Sequence, residues 1–261
     1  MSPSEQYTWF ITGTSRGIGL ELTKQLLQSP HNVVVAACRN PGKADSLQSL
    51  TTSAGGRLYI VRLDVTDTQT IKDAAQETAK IVGEKGIDYL INNAGIVRPS
   101  HFQVFASASL TTRRRLLLTQ GIGDTAFTMD IDDLTKTLQT NLVGPAYTSQ
   151  AFISLVEKSK KKTIVNISST LGSIGRDFGP QYASYAVTKA SLNMLTYKQA
   201  KERPDLTVLS ICPGHLQTDM GGENAALPVS VGVAGVLKVV TSLTPKDSGS
   251  FMNFRGERVP W

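Results

Sequence analysis

Six apolar runs of strand length punctuate the chain: YTWFIT from Tyr7, NVVVAAC from Asn32, RLYIV from Arg57, IDYLIN from Ile87, TIVNIS from Thr163 and TVLSIC from Thr207. Longer segments between them repeat apolar residues every three or four positions, the spacing of one helix face. From Asp67 to Val82, for example, Ile71, Ala74, Ala75, Thr78, Ala79 and Val82 recur in this way, and Thr66 or Asp67 is placed to cap the start. The strand-length runs show little polar alternation, as expected where both faces are covered. Strands alternating with helices predict an α/β fold with a doubly wound parallel sheet in three α/β/α layers. Ligands of such sheets bind beyond the carboxyl ends of the strands, so chemistry is sought there.

Composition adds limits. At 261 residues, with 40% apolar and 18% charged positions and no repetitive tract, the chain is expected to form one globular domain. The formal charge of +6 is scattered except at Arg113-Arg114-Arg115 and Lys160-Lys161-Lys162. It reads as solvated surface, in part serving an anionic ligand, and no nucleic-acid partner is assigned. Cys38 and Cys212 each close an apolar run, which suggests reduced core thiols, and no Cys/His cluster has metal spacing. The N-terminal stretch lacks a secretory pattern, and Ala225 to Val240 is interrupted by Pro228 and Lys238. A cytoplasmic protein without a membrane anchor is expected.

Directly after the first predicted strand comes Thr12-Gly13-Thr14-Ser15-Arg16-Gly17-Ile18-Gly19, followed by a helical segment to about Gln28. Gly13 allows a tight turn, Gly17 a close backbone approach to a pyrophosphate, and Gly19 close helix packing, while the helix start offers free N–H groups. The second strand ends Ala36-Ala37-Cys38-Arg39, without the carboxylate that would bind a ribose 2′-hydroxyl. Arg39, with Arg16 in the glycine loop, can instead clamp a 2′-phosphate through charge-assisted bidentate contacts. NADP(H) is therefore expected over NAD.

The spacing G-x-x-x-G-x-G is followed in order by NNAG at Asn92 to Gly95, Asn141, the serine pair Ser168-Ser169, YAVTK from Tyr185 to Lys189, and PGHLQT from Pro213 to Thr218. Together these landmarks resemble the short-chain dehydrogenase/reductase family across nearly the whole chain. The resemblance implies a Rossmann fold and a cofactor cradle that includes Ser15 and Ile18 beside Gly13, Arg16, Gly17 and Gly19. It implies Asp64 and Val65 at the adenine, and Asn92, Ala94 and Gly95 at the adenosine ribose. Pro213, Gly214 and Leu216 would line the cofactor, and Thr218 would hold the nicotinamide carboxamide. The chain ending at DSGSFMNFRGERVPW resembles the carbonyl reductases grouped with the sniffer and C-signal proteins, and the norsolorinic-acid ketoreductase-like enzymes.

Tyr185 and Lys189, four residues apart in a helical segment, share one face. A neighbouring ammonium favours phenolate, so Lys189 is expected to tune Tyr185. Tyr185 would give its proton to a carbonyl oxygen as hydride arrives, while Ser169 hydrogen-bonds the same oxygen. By the family pattern both Tyr185 and Lys189 also touch the cofactor, and Asn141 would hold a water linking Lys189 to solvent. Tyr182 lacks a lysine four residues on and reads as pocket or packing. Of the two serines Ser169 is preferred, because alternation turns only one toward the cofactor. His215 reads as a bystander.

Residues 98–128 are longer than the family connection and are expected to be a peripheral insert, either a pocket-side extension or noncoding sequence read through. Residues 219–243 are expected to form a mobile helical lid hinged at Gly221-Gly222 and Pro228. The implied function is NADPH-dependent reduction of a ketone or aldehyde on a small molecule, and a homo-oligomer is compatible with it. The same residues would serve an alcohol dehydrogenase working oxidatively. A nucleotide-sensing binding protein would keep the glycine cradle but lose the Tyr/Lys/Ser set, and an inactive splice product would show no turnover.

Overall fold

The computed structural model describes residues 6–97 and 124–261. Seven strands form one sheet: β1 Tyr7–Thr12, β2 Asn32–Cys38, β3 Leu58–Arg62, β4 Tyr89–Asn92, β5 Thr163–Ile167, β6 Thr207–Cys212 and β7 Ser250–Asn253. All neighbours are parallel, in the order β3-β2-β1-β4-β5-β6-β7. The principal helices are α1 Gly17–Leu27, α2 Thr68–Val82, α3 Ile131–Leu138, α4 Gly144–Glu157, α5 Ala183–Glu202 and α6 Val229–Ser242.

Alternate residues of each strand feed two separate cores, which explains why the strands lack polar alternation. Trp9, Ile11, Val34, Ala36, Tyr89, Ile91, Val165 and Leu209 pack on one face with Leu22 of α1 and Val233, Val236 and Val240 of α6. Phe10, Val35, Ala37, Leu90, Ile164 and Val208 pack on the other with Ile71 and Ala74 of α2 and Phe152 and Val156 of α4. The expected cap of α2 is Asp67, whose carboxylate accepts from the Gln69 and Thr70 N–H groups at 2.9 and 3.3 Å. The expected Rossmann arrangement is therefore present.

Of the segment expected to be a lid, 219–243, the second half is α6, whose Val233, Val236, Val239 and Val240 are buried against α1 and the sheet. Pro228 does not break this helix; it occupies the position just before its first residue. Residues 98–123 of the expected insert lie outside the described residues. In its described end Phe127 is exposed while Asp124 is buried: the Asp124 carboxylate accepts from Ser184 N at 3.2 Å and its carbonyl from Ala183 N at 3.2 Å. Asp124 thus caps the helix that carries Tyr185. Among the described residues no helix is long and apolar enough to cross a membrane.

Candidate active site

The strand order reverses between β1 and β4, and the crevice beyond their carboxyl ends is where a doubly wound sheet takes a ligand. Gly13 follows β1 with φ +73°, and a Cβ on it would meet Ala94 Cα at 2.9 Å. A Cβ on Gly19 would strike the Gly13 carbonyl oxygen and come within 2.6 Å of Asn93 Nδ2. Gly19→Ala should therefore lower stability by about 1–3 kcal/mol, the usual cost of overpacking, seen as a lower urea midpoint at unchanged slope.

Helix α1 starts without a side-chain cap and without an acidic residue in its first turn, so its first N–H groups and positive dipole end face the crevice. Thr14 ties this loop to β2: its N and Oγ1 donate to the Ala37 carbonyl at 3.1 and 3.0 Å. Ser15 and Arg16 are exposed on the loop and Ile18 is half-buried against the core, while Arg39 is exposed two residues past Ala37. Arg16 pairs with Asp219 Oδ2 at 3.0 Å, and both side chains are 73% exposed, so the pair is weak and exchangeable.

The NNAG segment turns its two side-chain amides in different directions. Asn92 does not face the crevice; its Nδ2 donates inward to Asn166 Oδ1 at 2.8 Å and Ser149 Oγ at 3.0 Å. Asn93 is the residue turned to the glycine loop, donating from Nδ2 to the carbonyls of Thr12 at 2.8 Å and Gly13 at 3.2 Å. Ala94 packs against Gly13, and a Cβ on Gly95 would lie 3.7 Å from Lys189 Nζ and 3.3 Å from Asn141 Oδ1. Beyond β3, Asp64 closes an Asx turn on Thr66, and Val65 is buried against Gly144.

Asn141 sits in a π-turn, Gln139–Val143, that joins α3 to α4, a helix defect of a kind common at functional sites. Its Oδ1 accepts from Ile96 N at 2.8 Å, and its Nδ2 donates to Ile96 O at 2.8 Å and Thr188 Oγ1 at 3.1 Å. Both amide protons are thereby used, and the side chain tethers the segment after β4 to α5.

On α5, Lys189 is buried and donates from Nζ to the Ile167 carbonyl at 2.7 Å, with Nζ 5.5 Å from the centre of the Tyr185 ring. Burial lowers Lys189 from its ordinary 10.5 to about 8, against a smaller opposing effect of Cys212. Burial also pushes the Tyr185 phenol above its ordinary value, Cys212 adds to the rise, and a hydrogen bond with Ser169 opposes it. Desolvation is the largest of these effects on Tyr185. Cys212, read from the sequence as a core thiol only, lies close enough to influence both groups.

Ser168 is buried and its Oγ donates to Asn193 Oδ1 at 2.7 Å, whereas Ser169 is half-exposed at the end of β5. Tyr182 precedes α5 in the left-handed region at φ +58° and is exposed. The loop after β6 folds on itself: Thr218 Oγ1 accepts from Gly221 N at 3.1 Å, its methyl faces Gly17, and His215 Nε2 meets the Gly221 carbonyl at 3.0 Å. Pro213 is buried, Gly214 takes φ +94° beside the Phe254 ring, and the Leu216 side chain is buried against Gly232 of α6. Among the described residues no group of His, Cys, Asp and Glu side chains could hold a metal ion.

Comparison with known proteins agrees with this geometry. The short chain dehydrogenase family model matches residues 8–227. An uncharacterized oxidoreductase of Schizosaccharomyces pombe is 32% identical over 97% of each chain. The norsolorinic acid ketoreductase of Aspergillus parasiticus is 31% identical, covering 99% of this chain and 93% of that one. The NADPH-bound carbonyl reductase from chicken fatty liver superposes with a TM-score of 0.84 at 33% identity, over 98% of this chain and all of the other. On these grounds the chain belongs to the short-chain dehydrogenase family of oxidoreductases.

Proposed function

We propose that this protein uses NADPH to reduce the carbonyl group of a small organic molecule to an alcohol, acting as one domain over residues 1–261. The observation that carries this reading is the meeting of Ser169, Tyr185 and Lys189 beside the glycine loop, with Ser169 in hydrogen-bonding reach of the phenol. The cradle fits a dinucleotide: Gly13 and Gly19 leave no room for side chains, and α1 presents an uncapped N-terminus to a pyrophosphate. Bound there, NADPH would supply a hydride to the carbonyl carbon.

The protein's own groups do the rest. Tyr185 Oη donates its proton to the carbonyl oxygen, and Ser169 Oγ hydrogen-bonds that oxygen as negative charge builds on it. Tyr185 rests protonated at neutral pH, the form from which it donates in the reductive direction. Lys189 places positive charge beside the phenolate left behind.

Arg39, exposed just beyond the end of β2, would clamp a 2′-phosphate, with Arg16 available once it leaves Asp219. NADPH should therefore bind more tightly than NADH, and Arg39→Ala should narrow the gap by roughly tenfold, the value of a charge-assisted contact. Fluorescence titration of both cofactors checks this, alongside turnover of a panel of ketones and aldehydes. Equal affinities in the parent protein would refute the NADP assignment, and no turnover across the panel would refute the reductase.

A further inference from the structure

We infer that Asn193 is a positioning residue that sets the distance between Ser169 and Tyr185, an inference that rests on the reductase reading above. Asn193 is buried on α5, one turn beyond Lys189 and two beyond Tyr185. Its Oδ1 accepts from Ser168 Oγ at 2.7 Å, and its Nδ2 donates to the Gly172 carbonyl at 3.2 Å. These two partners bracket the tight turn on which Ser169 sits: Ser168 precedes it, and Gly172 ends the 3₁₀ helix Thr170–Gly172. One side chain therefore clamps both ends of the Ser169 turn to the helix that carries Tyr185 and Lys189.

Two further features make the clamp consequential. The turn lies flush on α5, since a Cβ on Gly172 would come within 2.6 Å of the Lys189 carbonyl carbon and 2.7 Å of Ala190 N. A gap between turn and helix therefore appears only if the clamp is released. The clamp also needs an acceptor at one end of the side chain and a donor at the other, which an amide supplies in one short group. Leucine supplies neither. In a buried site both bonds are strong, and the hydroxyl left behind by their loss is costly.

The test compares the parent protein with Asn193→Leu and with the double variant Ser168→Ala plus Asn193→Leu. Three quantities are read: steady-state reduction at saturating NADPH, NADPH affinity and thermal midpoint. Asn193→Leu should lower kcat by about ten- to a hundredfold, the scale of a misplacement near 1 Å, with KM for the carbonyl and NADPH affinity little changed. The double variant removes the orphaned Ser168 hydroxyl, so its thermal midpoint should recover while kcat stays low. Recovery of kcat together with stability would show a purely structural role and overturn the inference, as would an unchanged kcat in Asn193→Leu. If Asn193→Leu does not fold, the double variant carries the comparison by itself. Failure of the parent protein to reduce any carbonyl is a different result, and it overturns the reductase reading first.

Discussion

Replacing Tyr185 by phenylalanine should leave NADPH binding intact and reduce carbonyl turnover by two or more orders of magnitude. The substitution keeps the ring and removes only the hydroxyl, so packing on α5 is preserved while the proton donor is lost. Burial already holds the phenol in its protonated form, which means that no other group in the crevice has to charge it before it can donate. Ser169 hydrogen-bonds but passes its own proton poorly, and His215 is occupied with the Gly221 carbonyl 3.0 Å away. Tyr182→Phe is the internal comparison: that side chain is exposed ahead of the helix, and its loss should cost little. Steady-state rates at saturating NADPH decide the matter. A normal rate in Tyr185→Phe, with a collapsed one in Tyr182→Phe, would mean that the catalytic register is wrong.

The strands and the glycine loop were legible because their signals are local. A run such as NVVVAAC can be buried on both faces only in a covered sheet, and Gly13 and Gly19 lack side chains for reasons that geometry then makes explicit. In the fourth-strand signal an Asn-Asn pair does not say which amide points inward. Only the register Asn92↔Asn166 across β4 and β5 decides it. The strand β7 was missed because SFMN is four residues long between turn formers, and its pairing with β6 brings together residues some forty positions apart. Asp124 and Asn193 share that limitation. A capping carboxylate sixty residues from its helix and an amide clamping a remote turn are tertiary facts with no periodic trace. The buried face of α6 is legible too, since Val233, Val236 and Val240 follow the helical period of a core face, and Pro228 stands where a helix begins.

Lys189→Met is expected to make the protein nearly inactive and, at neutral pH, more stable. The folded state lowers Lys189 to about 8 from 10.5 by burial, so between those two values the unfolded chain binds more protons than the folded one. Stability attributable to this group therefore rises with pH across that window, and below pH 8 the full penalty of a buried ammonium is present. A shift of this size corresponds to roughly 3 kcal/mol, of which the hydrogen bond to the Ile167 carbonyl at 2.7 Å returns a part, about 1.5–3 kcal/mol for a charged donor. Methionine of similar length fills the same channel without the charge. The variant should then melt higher by roughly 2–4 °C at pH 7, with the advantage fading as pH approaches 10.5. Turnover should fall by about two orders of magnitude, because the variant loses the positive charge that lies 5.5 Å from the centre of the Tyr185 ring. Thermal midpoints of the two proteins from pH 6 to 10 test the energetics separately from the chemistry: a Lys189→Met protein that melts lower at pH 7, or by a pH-independent difference, would show that Lys189 is not held in the fold at the expense of stability.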